Sequence, residues 1–229
     1  MKRSKSIFTM VALIGTAIAP MTGELANGKL DEVLANMERV ARTVKTIEAD
    51  MRQEKRDVQI GGKEVYAGRI LFLHAGKNTD KLRIDYSIPQ GQVVAVEGNK
   101  ITLYQPAINQ VILTTRSAQA SQNQEFSFIA TPYKSVPELK TQYNIVYVGD
   151  EPAGSAAAAK LELTPKGASS AKKLTLWVEQ STWLPIKYQV VETNNNVTTF
   201  TLSNVRINGG LKGDPFKVTY AAGTKIVRR

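Results

Sequence analysis

A run of short strands separated by turn residues, between residues 82 and 115, constrains the fold of this chain more than any other feature. Leu82, Ile84 and Tyr86 alternate with Arg83 and Asp85, so one face of this segment is apolar and the other is charged. Further apolar runs follow, and the turns between them contain Pro89-Gln90-Gly91, Gly98-Asn99 and Ala107-Ile108-Asn109. Since Gly and Asn tolerate the positive φ of tight turns, the pattern predicts an antiparallel meander. We expect this meander to form the centre of a sheet.

The same two-residue period recurs on both sides of the meander. Residues 47–57 and 65–74 are two predicted strands joined by Gly61-Gly62, and the apolar run from Ile70 to Leu73 is typical of a strand covered on both faces. Later predicted strands lie at 143–147, 160–164, 174–178, 184–191, 197–205 and 216–220. About ten or eleven strands without a βαβ rhythm predict a mainly β (α+β) fold, an unclosed antiparallel β-barrel. We expect residues 30–229 to form a single domain.

One segment before the sheet has helical periodicity. Its apolar residues recur every three or four positions from residue 30 to residue 46, and they are Leu30, Val33, Leu34, Met37, Val40, Ala41 and Val44. Gly28 precedes this stripe, and Asp31 and Glu32 lie in its first turn, where carboxylates favour a helix. The stripe needs an apolar partner, so we expect this helix to cap the concave face of the sheet.

A second helical segment interrupts the strands. The apolar residues Phe126, Phe128 and Ile129 lie between a small polar loop and two prolines, and residues 136–141 form a predicted helical turn. This arrangement predicts a short helical lid over the concave face. An ordinary crossover loop that plugs the core is the alternative.

The first residues have the features of an export signal. Lys2, Arg3 and Lys5 precede an apolar run from residue 7 to residue 18, and Ala17 and Ala19 provide the small residues of a cleavage site. We therefore predict a signal peptide at residues 1–19, with the cut before Leu30, and a periplasmic location in a Gram-negative-type bacterium. An uncleaved membrane anchor is the alternative.

Charge and cysteine content narrow the choice of partners. The formal charge is +10, and removal of residues 1–19 leaves +7, spread over predicted strands and turns. A nucleic-acid reader usually shows a dense basic stripe with stacking aromatics, so no nucleic-acid partner is predicted. Two explanations of the positive charge remain open. One is affinity for anionic headgroups or an acidic partner, and the other is a simple solvated surface. The chain has no cysteine, so it carries no disulfide and no cysteine-linked lipid.

The residues needed for catalysis are scarce. His74 is the only histidine, and the sequence contains no nucleophile elbow, phosphate loop or dinucleotide fingerprint. We predict no catalytic residue, no metal site and no cofactor, so the chain is not expected to be an enzyme. The chain does contain large apolar residues, namely Met51, Phe72, Tyr86, Phe126, Phe128, Trp177 and Trp183. A concave sheet with such residues can bind acyl chains, since each buried methylene contributes about 0.8 kcal/mol without a directional partner; simple core packing is the alternative.

Several short segments, in order and spacing, resemble the LolA family of periplasmic carriers of outer-membrane lipoproteins. They are Gly68 with residues 70–74, residues 82–89, residues 94–106, residues 126–130, Gln142-Tyr143-Asn144-Ile145 and Leu163-Thr164-Pro165-Lys166. The resemblance runs from the predicted helix through nearly the whole remaining chain. It implies a half-barrel whose apolar cavity takes the acyl chains of a lipoprotein. It also implies two partners, an ABC-type release complex in the inner membrane and a receptor in the outer membrane, for a protein that we expect to be a monomer.

On this resemblance, eleven side chains line the acyl cavity. Those of the sheet are Met51, Ile70, Phe72, Ile84, Tyr86, Val94, Val96 and Leu103, and those of the lid are Phe126, Phe128 and Ile129. Known members have an arginine near the end of the second strand that holds the lid closed. Here His74 stands at that place, and an imidazole has fewer donors than a guanidinium, so Lys77 and Arg83 are further candidates for closing the lid.

Two other functions remain open on the same fold. One is a lipid-binding sensor or regulatory module, and the other is a carrier of a different lipid, such as a glycolipid or a polyisoprenoid. An apolar cavity selects chain length and volume, so the sequence does not separate these cargoes from a lipoprotein.

Overall fold

The computed structural model describes residues 22–76, 79–115 and 135–229. The predicted signal peptide, Lys77 and the lid residues Phe126, Phe128 and Ile129 lie outside these ranges. Within them the chain forms two α-helices and one sheet of twelve strands. No helix of the described ranges has the length and apolar character needed to cross a membrane.

In the described part of the chain the helices are α1 (Thr22–Ala41) and α2 (Val136–Gln142), and one 3-10 turn spans Pro106–Ile108. The strands are β1 (Thr46–Arg56), β2 (Lys63–Leu73), β3 (Lys81–Ile88), β4 (Val93–Glu97), β5 (Lys100–Gln105), β6 (Gln110–Thr115), β7 (Tyr143–Asp150), β8 (Ala158–Pro165), β9 (Ala171–Glu179), β10 (Pro185–Glu192), β11 (Val197–Ile207) and β12 (Lys225–Arg228).

The sheet contains two antiparallel meanders, the first from β1 to β6 and the second from β7 to β11. The strand order is β12-β6-β5-β4-β3-β2-β1-β11-β10-β9-β8-β7, and the first meander joins the second where β1 pairs with β11. The sheet does not close, because β12 and β7 are its two edges. The predicted fold class, an unclosed and mainly antiparallel half-barrel with helices on one face, is confirmed.

The meander over residues 82–115 is confirmed as β3 to β6, but its predicted place in the sheet is wrong. The middle of the sheet is β1, which pairs with β2 along all eleven of its residues and with β11 on its other side. Strand β1 begins the first meander and pairs with β11, the last strand of the second, whereas β3 to β6 continue the sheet towards one edge. Local periodicity predicts strands and their turns, and it carries no information on this non-local pairing.

The first helix differs from its prediction at both ends. It spans Thr22–Ala41 rather than 30–46, so Gly28 lies inside it. The chain leaves the helix after Ala41, and Thr46 already pairs with Leu73 in the sheet. The apolar periodicity extends further because Val44, in the turn after the helix, is buried in the same core as the helical residues.

A glycine in β2 allows two strands to approach each other closely. The pairing of β2 with β3 shifts register between Ala67 and Gly68, where a bulge bends the strand. A Cβ atom at Gly68 would lie 2.9 Å from the Cα of Tyr86, which is too close for any other residue. The absence of a side chain at Gly68 therefore allows β2 and β3 to approach closely at this bulge.

The C-terminal segment was predicted as a strand at 216–220, and this prediction is wrong. Residues 216–220 have no strand pairing, and the last strand, β12, lies beyond them and runs parallel to β6. Side-chain contacts hold the segment instead. Phe216 is only 2% exposed, and the ammonium of Lys81 lies 5.6 Å from the centre of its ring.

Candidate functional site

The helix-covered face of the sheet carries one continuous apolar cluster. Three residues of α1 and two of α2 are buried in the same cluster as residues from β1 to β5 and β8 to β11; the helical residues are Val33, Leu34, Met37, Val136 and Leu139. Seven of the predicted cavity residues are buried members of it, namely Met51, Ile70, Phe72, Ile84, Tyr86, Val94 and Val96, and Leu103 packs partly buried against it. The structure thus brings the eight described residues of the predicted set onto one face. Their role in binding a ligand stays a prediction.

A cavity of about 220 Å³ opens at one end of this cluster. It lies between the C-terminal turns of α1, the end of β2, the start of α2 and the turn that joins β9 to β10. Its lining residues are Met37, Glu38, Ala41, Arg42, Val44, Phe72, His74, Ser135, Val136, Trp183, Leu184 and Pro185. Phe72 belongs to both the cavity and the cluster, so the cavity is continuous with the apolar interior.

His74, a predicted lid-closing residue, lines this cavity. Its Nδ1 lies 2.8 Å from Oδ1 of Asp80, and its backbone N–H donates to the carbonyl of Lys45. With Nδ1 protonated, the imidazole donates to the carboxylate, and Nε2 remains for a further partner. The structure therefore fixes the ring at the cavity wall, while its closing role stays a prediction.

Arg83 lies on the other face of the sheet. It alternates with Leu82 and Ile84, both of which are buried in the cluster, and its guanidinium donates to both carboxylate oxygens of Asp85. It also donates to the carbonyls of Pro215 and Lys217, at 3.1 Å and 2.9 Å. The bond to Asp85 raises the pKa of Arg83 above its ordinary value. These contacts fasten the C-terminal segment to β3.

A carboxylate joins the two helices at the mouth of the cavity. Oε2 of Glu38 accepts a hydrogen bond from the backbone N–H of Val136, at 3.0 Å, and Oε1 accepts from Arg42. Ser135 and Glu138 cap the start of α2 reciprocally, which defines where this helix begins. Sequence reasoning missed Glu38 and Arg42, because an i,i+4 pair of opposite charge on a helix is usually a surface pair.

Two tyrosines border the cluster where α1 packs on β7. Tyr143 and Tyr147 are partly buried against it, and the Tyr147 hydroxyl donates to Asp150 at 2.8 Å. Burial, together with that hydrogen bond, raises the pKa of Tyr147 to about 12, and burial also raises the pKa of Tyr143. Both rings therefore remain neutral at physiological pH and add apolar area beside the helix.

The two tryptophans, both noted in the sequence for their apolar bulk, lie in different regions. Trp183 lines the cavity and packs against the main cluster. Trp177 belongs to a separate small cluster with Ala153, Ala158 and Ile186 on the other side of the sheet. The sequence could not separate them, because 174–178 is apolar nearly throughout and has no clean alternation.

Charged side chains on the outer face form pairs with one another. Glu48 pairs with Arg69 and Arg206, and Glu97 pairs with Lys81 at 2.7 Å. Such exposed pairs are usually worth about 0–1 kcal/mol. They contribute to the solvated outer surface of the sheet.

Comparison with known proteins places this arrangement in a family. Residues 42–219 match the family model described as outer membrane lipoprotein carrier protein LolA. The outer-membrane lipoprotein carrier protein of Actinobacillus pleuropneumoniae serotype 7 (strain AP76) is 24% identical over 216 residues, which cover 94% of this chain and 92% of that protein.

Solved structures share the fold at low sequence identity. An uncharacterized conserved protein from Thermus thermophilus superposes with a TM-score of 0.56 at 13% identity, covering 88% of this chain and 99% of the other. A chain of the Pseudomonas aeruginosa MucA/MucB complex superposes with a TM-score of 0.52 at 13% identity, covering 83% of this chain and 61% of the other. The observed half-barrel with its helix-covered apolar face agrees with the family match, which spans most of the sheet. This chain belongs to the LolA family of outer membrane lipoprotein carrier proteins.

Proposed function

We propose that this protein is a periplasmic carrier that holds the acyl chains of a lipoprotein between its sheet and its helices. It takes its cargo from an ABC-type release complex in the inner membrane and delivers it to a receptor in the outer membrane. It acts as a monomer, without a cofactor and without catalysis. The family match and the name of the 24% identical relative support the lipoprotein cargo.

The observation that carries this proposal is the composition of the interior. Among the described residues, the buried polar side chains are Thr46, Gln53, Thr114 and Thr175, and no lysine, arginine, histidine, aspartate or glutamate is buried. An acyl chain needs no directional partner, and each of its buried methylenes contributes about 0.8 kcal/mol. Such an interior suits hydrocarbon, because a polar ligand would lose its hydrogen bonds to water there.

The size of the cavity indicates how cargo enters. Clefts that bury a drug-sized ligand measure roughly 300–1,000 Å³, and this cavity measures about 220 Å³. This cavity alone is too small for a triacylated molecule, so the proposal includes a movement of the helices away from the sheet during loading. The helix α1 lies against β7 and α2 and takes no part in the strand pairing, so it can move without breaking the hydrogen bonds of the sheet.

The test is mass spectrometry of the lipids that co-purify with the intact protein from its native periplasm. We expect a triacylated lipoprotein in roughly equal amount. Met51→Gln places an amide of similar size in the apolar cluster and should lower the recovered amount, because that amide would be buried without partners. The matched control is Val58→Thr, since Val58 is exposed at the turn between β1 and β2.

The alternative outcomes separate the remaining functions. A free glycolipid or polyisoprenoid in place of the lipoprotein would retain the carrier mechanism and reject lipoprotein sorting. A protein that is recovered empty, and that does not take up a fluorescent fatty acid, would reject both and favour a regulatory module. Equal recovery from Met51→Gln and the wild type would place the cargo outside the apolar cluster.

A further inference from the structure

Trp183 has a backbone conformation that its side chain does not favour. Its φ is +57°, in the left-handed region. Among the described residues, the other non-glycine residues with positive φ are all asparagines, namely Asn109, Asn195, Asn204 and Asn208. Asparagine tolerates this region, whereas a bulky aromatic residue there is strained, and such strain concentrates at functional sites. The turn at residue 183 therefore carries a tryptophan where local preference favours Gly or Asn.

The rest of the turn holds this conformation in place. The Trp183 N–H donates to the carbonyl of Glu179 at 2.7 Å, and the Glu179 N–H donates to the carbonyl of Leu184. The hydroxyl of Thr182 donates to the carboxylate of Glu179 at 2.6 Å. These bonds fix the direction of the Trp183 side chain, which lines the cavity beside Leu184 and Pro185.

The cavity that Trp183 lines has both apolar and polar walls. Met37, Val44, Phe72 and Leu184 provide hydrocarbon, and Phe72 leads on into the main cluster. Glu38, Arg42, His74 and Ser135 provide polar atoms at the same cavity. A ligand that fits both is one whose hydrocarbon chain ends in a polar group, and a volume of about 220 Å³ admits part of one such chain.

We propose that this cavity binds the end of an acyl chain where the chain joins its ester or amide linkage, and that Trp183 is a cargo-contacting residue that lies against the first methylenes. The chain then continues past Phe72 into the main cluster, and the linkage faces Arg42 and His74. This inference rests on the proposed function, because it names a subsite within the same apolar interior. The strained backbone of Trp183 is then the cost of placing a flat apolar ring at this point.

Fluorescence quenching tests the position of the ligand. In the intact protein with Trp177→Phe, all tryptophan emission comes from Trp183, because the chain has two tryptophans. The probes are hexadecanoic acids that carry bromine either next to the carboxyl group or at the far end of the chain. Bromine quenches tryptophan at short range, and the chain has no cysteine for the α-bromo acid to alkylate. We expect most of the emission to be lost with bromine next to the carboxyl group and little with bromine at the far end.

The variant Trp183→Asn separates cargo contact from simple packing. Asparagine occupies four other left-handed positions of this chain, so the turn is retained while the ring is removed. We expect about tenfold weaker binding of unlabelled hexadecanoate, which corresponds to about 1.4 kcal/mol. Trp177→Phe should bind with wild-type affinity, because Trp177 lies on the other side of the sheet.

Each contrary result has a distinct meaning. Stronger quenching by the far-end bromine would overturn the placement of the linkage. Wild-type affinity of Trp183→Asn, with only a lower Tm, would overturn the contact and leave Trp183 as a packing residue. If fluorescent fatty acid binds normally but neither brominated acid quenches Trp183, this inference fails alone. If no fatty acid binds at all, the proposed function fails together with it.

Discussion

The two faces of the half-barrel bury aromatic residues in different ways. On the outer face, Trp177 is 4% exposed, and its indole N–H donates to Glu151 at 3.0 Å. The ammonium of Lys187 lies 4.1 Å from the centre of its ring, and that of Lys160 lies 5.3 Å away. On the helix-covered face, Tyr188 stacks on Phe200 with ring centres 4.7 Å apart inside an apolar cluster.

This difference indicates which buried surface a ligand can occupy. The partners of Trp177 are directional, since a hydrogen bond and two cations hold the ring in one position. Hydrocarbon contacts on the inner face have no preferred direction, so an acyl chain can replace them with similar energy. The outer cluster is therefore expected to serve stability alone, and the inner cluster both stability and binding.

The largest effect is expected for Trp177→Ala, which should cost about 3–5 kcal/mol of unfolding free energy. The substitution removes a buried ring, and Glu151, Lys160 and Lys187 lose their contacts with it. Urea unfolding with and without hexadecanoate measures the cost, and the gain from the ligand should equal that of the wild type. Trp177→Phe, which retains a ring, should lose less stability. A larger ligand-induced gain in Trp177→Ala than in the wild type would contradict the distinction between the faces.

On the inner face, Ile84→Ala should cost about 2–5 kcal/mol, since Ile84 is completely buried in the main cluster. The vacated space adjoins the proposed path of the acyl chain. Saturating hexadecanoate should therefore stabilise this variant more than it stabilises the wild type, because a ligand that binds only the folded state adds RT ln(1 + [L]/Kd). The same urea series measures this gain. Equal ligand-induced gains in Ile84→Ala and Trp177→Ala would show that the two faces do not differ in this respect.

A smaller and more local effect is expected for Arg83→Gln. Arg83 holds the C-terminal segment through the carbonyls of Pro215 and Lys217, and hydrogen bonds to a charged group are worth about 1.5–3 kcal/mol. Limited trypsin digestion should cut more rapidly after Lys217, while affinity for hexadecanoate remains unchanged. Lys217→Gln, which removes the cleavage site, is the control. Unchanged cleavage would show that Phe216 and β12 hold the segment without Arg83.

The smallest effect concerns Glu151 and pH. Hydrogen bonds from Lys160 and then from Trp177 lower the pKa of Glu151 below its ordinary 4.5. Because this pKa is lowered, the ionised carboxylate stabilises the fold at pH values above its ordinary pKa. This contribution is lost as the pH falls through the lowered pKa. Glu151→Gln should therefore be less stable than the wild type at neutral pH and should approach it in acid. Thermal unfolding across this range tests the prediction, and a constant difference between the two proteins would contradict it.

Particular elements show how far the sequence predicted this fold. Strands β3 to β6 were predicted because alternation and the Gly98-Asn99 turn are local signals. The end of α1 was misplaced because Val44 continues the apolar spacing beyond the helix. The prediction of a strand at 216–220 was wrong. Phe216 is apolar because tertiary contacts bury it, and the sequence does not distinguish such a residue from the inward-facing residue of a strand. The sheet residues predicted to line the cavity share one face, because successive side chains of a strand point to opposite faces and every second residue therefore lies on the same one.

By itself, the sequence determined the class of this protein, an unclosed β half-barrel with an apolar interior, and its likeness to lipoprotein carriers. Periodicity and turn residues are local properties that can be read from neighbouring residues. Tertiary structure alone decided that β1 joins the two meanders, that Trp177 is buried outside while Trp183 lines the cavity, and that Arg83 fastens the C-terminal segment. These features depend on contacts between residues far apart in the chain, and no local pattern encodes such contacts.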